Sequence, residues 1–308
     1  MLALTRRAFL AHATAGLALS TAPLGGKASP RGIPIGLQLY TLAAQLREDF
    51  EGTLDEIAAI GIREVELIAF PERKPADVRR ALAQAGLTPV AIHLGGDALL
   101  DDTRGQLDTA AALGATCLVC PEPLISPAAR TRPEFAGRDS PQGAAQFVAS
   151  LTLDDWLWNA EMLNTIGAAA QRAGIRFGYH NHSAEFRSFG TRTAYDELIA
   201  RTEPRFVTFE MDCGWVESSR ASAVTYLRRY PGRFQLLHLK DIKRRAPAGV
   251  ELSMTSTEVG SGIIDWRAIF AAAPTAGVQH CFIEQEPPFD RAPLEAVRRS
   301  YEWLQRLK

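Results

Sequence analysis

Cysteine and histidine are scarce in this chain, four and six among 308 residues. So few cysteines exclude a disulfide-stapled scaffold, because such scaffolds are short and cysteine-dense. Cys117 and Cys120 stand close together in "ATCLVCP", but that run reads as a strand. Side chains three apart on a strand point to opposite faces, so these two are not expected to share a bridge or a metal. Buried free thiols are expected there, and at Cys213 and Cys281. No sign of charge dominates: 34 basic against 35 acidic residues give a formal net charge of −1. With no basic block and no basic-aromatic stripe, the electrostatic footprint of a nucleic-acid binder is missing. No G-x-G-x-x-G follows the first strand-like run, which argues against an open dinucleotide-binding sheet. No glycine-rich phosphate loop stands out either.

The N-terminus carries paired Arg6-Arg7, then Phe9-Leu10, then a modest Ala/Leu/Thr run and small residues up to Ala28. The apolar run is too short and too weakly hydrophobic to span a bilayer. "TRRAFL" is similar to the consensus of a twin-arginine export signal. Residues 1–28 are therefore expected to be a cleavable signal peptide, with the mature protein periplasmic or secreted. Losing Arg6, Arg7 and Lys27, and no acid, takes the net charge from −1 to −4.

From residue 29 onward, apolar strand-like runs alternate with amphipathic helical ones eight times, from "IPIGLQLY" (33–40) to "HCFIEQEPP" (280–288). Several helical runs stop at glycine, at Gly61, Gly86, Gly114, Gly174 and Gly277, the usual C-terminal stop. Alternating strands and helices imply parallel pairing, and eight such units imply a closed (β/α)8 TIM barrel. A single α/β barrel over residues 29–308 is expected. One long insertion, residues 121–151, reads as a loop after the fourth strand at the barrel mouth.

In such a barrel alternate residues of each strand face inward, and the strand C-termini form the active rim. Phasing the strands with their apolar residues outward turns Gln38, Tyr40, Glu64, Glu66, His93, His180, His182, Glu210, Asp212, His238, Lys240, Glu284 and Glu286 inward. Ionisable groups this dense repel one another and lose solvation unless a cation or a polar substrate compensates. His180, Asp212, His238 and Glu284, at matching heights on strands five to eight, form the expected metal set. Two carboxylates and two imidazoles suit Mn²⁺, Co²⁺, Zn²⁺ or Fe²⁺, and suit Ca²⁺ poorly.

The ordered set "IGLQLYT", "YHNHSAEF", "FEMDCGW", "GRFQLLHLKDI", "EVGSGIIDW" and "FIEQEPP" resembles the xylose-isomerase-like barrel superfamily. The similar subgroup is the exported sugar phosphate isomerase/epimerase group with a YHNHxxEF strand. The resemblance implies one ligand from each of strands five to eight, in the order Glu, Asp, His, Glu. Asp212, His238 and Glu284 match, and His180 stands where the family has Glu. In the epimerases that Glu and the last one move protons on opposite faces of the substrate, so this chain departs from a two-carboxylate epimerase.

The expected activity is metal-dependent proton abstraction next to a carbonyl, by way of an enediolate, on an unphosphorylated sugar or keto-glycoside. Mn²⁺ is the expected cation, with Co²⁺, Zn²⁺, Fe²⁺ and Mg²⁺ as alternatives. Glu284, Glu185 and His182 are the candidate bases, and Lys240 the group that steadies the oxyanion or donates a proton. His93, Glu66, Gln38, Tyr40, Trp215 and Glu286 are the candidate substrate-binding residues, with His93 and Glu66 alternatively orienting the metal ligands from behind. The same site chemistry admits a lyase or dehydratase of the inosose dehydratase or 3-keto-glycoside type. An exported sugar-binding barrel without catalysis is the alternative from another class. A homo-oligomer is compatible with the terminal helix, whose apolar residues otherwise pack on the barrel.

Overall fold

A computed structural model describes residues 30–245 and 254–307; the expected signal peptide at 1–28 lies outside the described residues. Eight parallel strands close into a barrel in the order β1-β8-β7-β6-β5-β4-β3-β2. They are β1 (Ile35–Gln38), β2 (Glu64–Leu67), β3 (Thr88–His93), β4 (Cys117–Cys120), β5 (Arg176–His180), β6 (Thr208–Asp212), β7 (Phe234–Leu239) and β8 (His280–Ile283). The helices that return the chain between them, and after β8, are α1 (Phe50–Ile60), α2 (Pro75–Ala85), α3 (Thr103–Leu113), α4 (Leu153–Arg172), α5 (Ala194–Arg201), α6 (Ala223–Arg229), α7 (Trp266–Ala276) and α8 (Pro293–Arg306). Gly61, Gly86, Gly114 and Gly277 end α1, α2, α3 and α7 in the left-handed conformation. No helix among the described residues is long and apolar enough to cross a membrane.

Period-two alternation separates two environments. Val65, Leu67, Ile92, Phe209, Met211, Leu237, Leu239 and Ile283 are buried in one outer core between strands and helices. Ala91, Cys117, Val119, Leu236 and Phe282 form a separate apolar plug inside the barrel. Cys117 and Cys120 fall on opposite sides of β4, in the plug and the outer core respectively, and all four cysteines are buried and free. Below the plug, His280 Nδ1 meets Glu64 Oε2 at 2.7 Å, and Arg176 donates to Gln279 Oε1 at 2.6 Å. Above it stand the ionisable groups of the rim.

Two expectations need correction here. β1 stops at Gln38, so Tyr40 does not face inward; it lies on a 3₁₀ turn with half its surface (51%) exposed. The turn forms because Gln38 Oε1 caps the Tyr40 N–H. The insertion at 121–151 is not an irregular loop. It holds short helices at Pro127–Arg130 and Pro141–Ser150, each opened by a serine cap and a proline in the first turn, a strong helix start. Arg130 and Arg138 tie it to Asp97 beyond β3, at 2.5 and 2.9 Å.

Candidate metal centre at the barrel rim

The C-terminal ends of β6, β7 and β8 bring Asp212, His238 and Glu284 together, with ligand atoms all within 4.8 Å of one another. Local structure sets each one. Asp212 caps the short helix Cys213–Ser218, its Oδ1 accepting from the Trp215 N–H at 2.9 Å. That leaves Oδ2 turned into the barrel, buried, 3.8 Å from His238 Nδ1 and paired with Lys240 Nζ at 2.9 Å. Glu284 Oε2 lies 2.6 Å from His238 Nδ1 and 2.9 Å from Lys240 Nζ. Lys240 also reaches Glu286 at 2.6 Å. Its ion pairs are thus with Asp212, Glu284 and Glu286, rather than with its neighbour Asp241.

Asp241 serves the scaffold. Its oxygens accept from the backbone of Ile242, Gly260, Gly262 and Ile264 and from the Trp266 indole N–H. The "GSGIIDW" segment is thereby anchored beside the end of β7. Gly262 is required there, since a Cβ would meet Asp241 Oδ1 at 2.1 Å.

One layer deeper, His93, His180, Glu210 and His238 form a second group close enough to hold an ion. Glu66, also wholly buried, accepts from Gln38 at 2.8 Å and contacts His238 Nε2 at 2.6 Å. His180 faces this layer through Nδ1, 3.0 Å from Glu210 Oε2, and the rim through Nε2, 4.0 Å from Asp212 Oδ2. His182 sits higher and half-buried, its ring 5.0 Å from that of His180 and 5.4 Å from that of Trp215.

Electrostatics follows from the burial. Burial disfavours charge on every group, but neighbours of opposite sign reverse this for several. Burial opposes a charged His93, yet Glu66 and Glu210 outweigh it and raise its pKa to about 10. For His238 likewise, Glu210, Glu284 and Glu66 overcome burial and raise the pKa well above the ordinary value. Burial, with Lys240 nearby, lowers His182 to about 3, which leaves it neutral. Burial raises Asp212 to about 6, against the pull of Lys240. Lys240 stays charged despite its burial because Asp212, Glu284 and Glu286 surround it.

One candidate base and two candidate substrate contacts are closed off by burial. Glu185 does not stand at the rim. It is fully buried, accepting from the Tyr179 hydroxyl at 2.7 Å and the His182 N–H at 3.1 Å. The chain turns after β5, and Tyr179 points into the outer core, so Glu185 is carried outside the barrel wall. Gln38 is fully buried, with one end on Glu66 and the other on the Tyr40 N–H. Glu66 is fully buried too and braces His238. Trp215 is 9% exposed, Glu286 has a 32%-exposed side chain, and His93 is 12% exposed.

Two residues escaped a functional assignment from the sequence. Glu210 was readable as inward-facing from its period-two relation to Asp212, but its contacts to His93 and His238 join distant strands. Asn181, wholly buried, accepts from the Asp212 N–H at 3.1 Å and so pins the end of β5 to that of β6. Only its place between two histidines hinted at this.

The donor set fits a divalent transition metal. Carboxylate oxygens and an imidazole nitrogen, all buried, converge from three consecutive strands. Asp212, His238 and Glu284 would hold the ion; His180, the expected fourth ligand, groups instead with His93, Glu210 and His238, its Nε2 4.0 Å from Asp212 Oδ2.

Residues 54–307 match the profile of the xylose isomerase-like TIM barrel family. An inosose dehydratase of Geobacillus thermodenitrificans is 27% identical over 158 residues, 46% of this chain and 52% of that protein. One from Lacticaseibacillus casei is 29% identical over 159 residues, again 46% and 52%. The chain thus spans about half the length of the curated relatives it matches. Among solved structures, a sugar phosphate isomerase/epimerase of Parabacteroides distasonis superposes with a TM-score of 0.70 at 24% identity, covering 96% of this chain and 98% of that one.

Proposed function

The chain belongs to the xylose isomerase-like TIM barrel family, and from that premise we propose that it is a divalent-metal-dependent enzyme that moves a proton at the carbon next to a carbonyl. Its substrate is an unphosphorylated sugar or keto-glycoside. The observation that carries this reading is the convergence of Asp212, His238 and Glu284, all buried, on one point at the rim. Mn²⁺ is the cation we favour, and Co²⁺, Zn²⁺, Fe²⁺ and Mg²⁺ are the alternatives. When bound, it polarises the carbonyl and stabilises negative charge on its oxygen.

The chain's own groups do the rest. Glu284 or neutral His182 takes the proton from carbon, and the electron pair moves onto the carbonyl oxygen to give an enediolate. Lys240 Nζ supports that oxygen or returns a proton. Trp215 and Glu286 border the sugar at the mouth. Glu185, with both oxygens engaged outside the barrel wall, acts by holding the His182 backbone and not as the base. Return of the proton to the opposite face gives an epimer, and return to the neighbouring carbon gives an isomer.

Two observations favour a second reading, in which the enediolate expels a β-hydroxyl or β-glycoside and the enzyme is a dehydratase or lyase. The matched curated relatives are inosose dehydratases. His180, on β5 where the family resemblance places Glu, removes one of the paired proton carriers. The arginine pair near the N-terminus supports export by the twin-arginine route, and an extracytoplasmic setting fits an unphosphorylated substrate.

Incubating metal-loaded protein with keto-sugars and keto-glycosides in D₂O tests this. Deuterium should enter at the carbon next to the carbonyl, and the product separates isomerase from lyase. No exchange with any such compound, by protein shown to hold its metal, would sink the proposal.

A further inference from the structure

Glu210 has no part in the chemistry above, although three imidazoles converge on it. It lies on β6 two residues before Asp212, fully buried and one layer deeper in the barrel. Its Oε2 is 2.7 Å from His93 Nε2, 3.0 Å from His180 Nδ1 and 3.1 Å from His238 Nε2. Two of these rings turn their other nitrogen toward the rim. His238 Nδ1 is 2.6 Å from Glu284 Oε2 and 3.8 Å from Asp212 Oδ2. His180 Nε2 is 4.0 Å from Asp212 Oδ2. The two rings are thus set in opposite senses, one with Nδ1 down and the other with Nε2 down.

A neutral imidazole has one N–H, and the nitrogen that donates it leaves the other as a lone-pair donor. A carboxylate behind a ligating histidine fixes that choice and the ring plane together. We propose that Glu210 is the positioning residue of the metal centre. It accepts the Nδ1–H of His180, while Glu66 accepts the Nε2–H of His238, so that His180 Nε2 and His238 Nδ1 are presented to a cation shared with Asp212 and Glu284. This rests on the rim cation of the preceding reading and adds which nitrogen of each ring binds it. It also explains how a histidine replaces a carboxylate on β5: the ring needs an acceptor beneath it, and Glu210 supplies one. Glu66 is the acceptor for His238 Nε2, at 2.6 Å against 3.1 Å to Glu210, so Glu210 acts chiefly on His180.

Two measurements test the assignment. In Zn²⁺-loaded protein with ¹⁵N-histidine, NMR should show His180 protonated at Nδ1 and His238 at Nε2. His180 with an unprotonated Nδ1 would overturn the proposal. By chelator competition with Zn²⁺, Glu210→Ala should bind the cation about 10–100-fold more weakly. Glu210→Gln, which keeps a carbonyl acceptor, should lose less, and excess Zn²⁺ should restore its uptake. A purely structural role would lower the melting temperature of both variants and leave cation affinity unchanged, and that result would overturn the proposal. An Asp212→Asn/Glu284→Gln double variant that still holds one equivalent would place the ion in the lower group, make Glu210 a ligand, and overturn it too. Wild-type protein that takes up no cation would sink the functional reading and this inference together; wild-type uptake with unaltered affinity in both Glu210 variants would sink this inference alone.

Discussion

The two ends of the barrel interior hold the same kind of contact in different surroundings. At the floor, His280 and Glu64 meet at 2.7 Å, each side chain 21% exposed. At the rim, His238 meets Glu284 and Glu66, both at 2.6 Å, with exposures of 0%, 8% and 0%. A histidine beside a glutamate does not by itself make a site. The floor pair is partly solvated and stands alone, as a surface ion pair does. The rim pair is dry and joined by Asp212, Lys240, His180 and Glu210, so charge there must be balanced within the protein. The apolar plug between the two ends lets one be wet and the other dry.

Substitutions can break or sharpen this contrast. The largest effect is expected from His238→Gln, which removes a nitrogen facing both layers: cation affinity and turnover should fall more than about 100-fold, read by chelator competition and by exchange in D₂O. Next comes Lys240→Met, which leaves Asp212, Glu284 and Glu286 without their shared counter-charge. Without cation the variant should lose about 3–5 kcal/mol of stability, and added cation should restore much of it, as denaturant unfolding with and without chelator would show. Tyr179→Phe removes the hydroxyl on Glu185 and should cost about 1–3 kcal/mol by leaving a buried carboxylate oxygen unpaired, with cation affinity near wild type. The smallest effect is expected at the floor: His280→Gln should change stability by no more than about 1 kcal/mol and leave the bound cation untouched. A floor substitution that abolished cation binding would erase the distinction between the two ends.

Export is a separate matter from the barrel. Replacing Arg6 and Arg7 with lysine should leave the protein in the cytoplasm of an expressing cell, as fractionation would reveal; unchanged export would overturn the twin-arginine reading.

The sequence alone determined the wall of this protein. Two-residue alternation in "REVELIAF" and "FVTFEMD" settles which residues meet the helices, because one face of each strand must leave water, and glycines that tolerate a left-handed turn mark where helices end. It also offered a set of inward-turned polar groups, from which Tyr40 drops out because β1 stops at Gln38. Tertiary structure decided which of them touch. His93 and Glu210 are 117 residues apart, and His238 and Glu66 are 172 apart; such pairs meet across a closed barrel whose local patterns carry no cross-strand distances. The same limit explains Glu185, which was a candidate base because it follows His182 so closely. The chain's turn after β5 carried it behind the wall, where the Tyr179 hydroxyl, held in the outer core, could satisfy it.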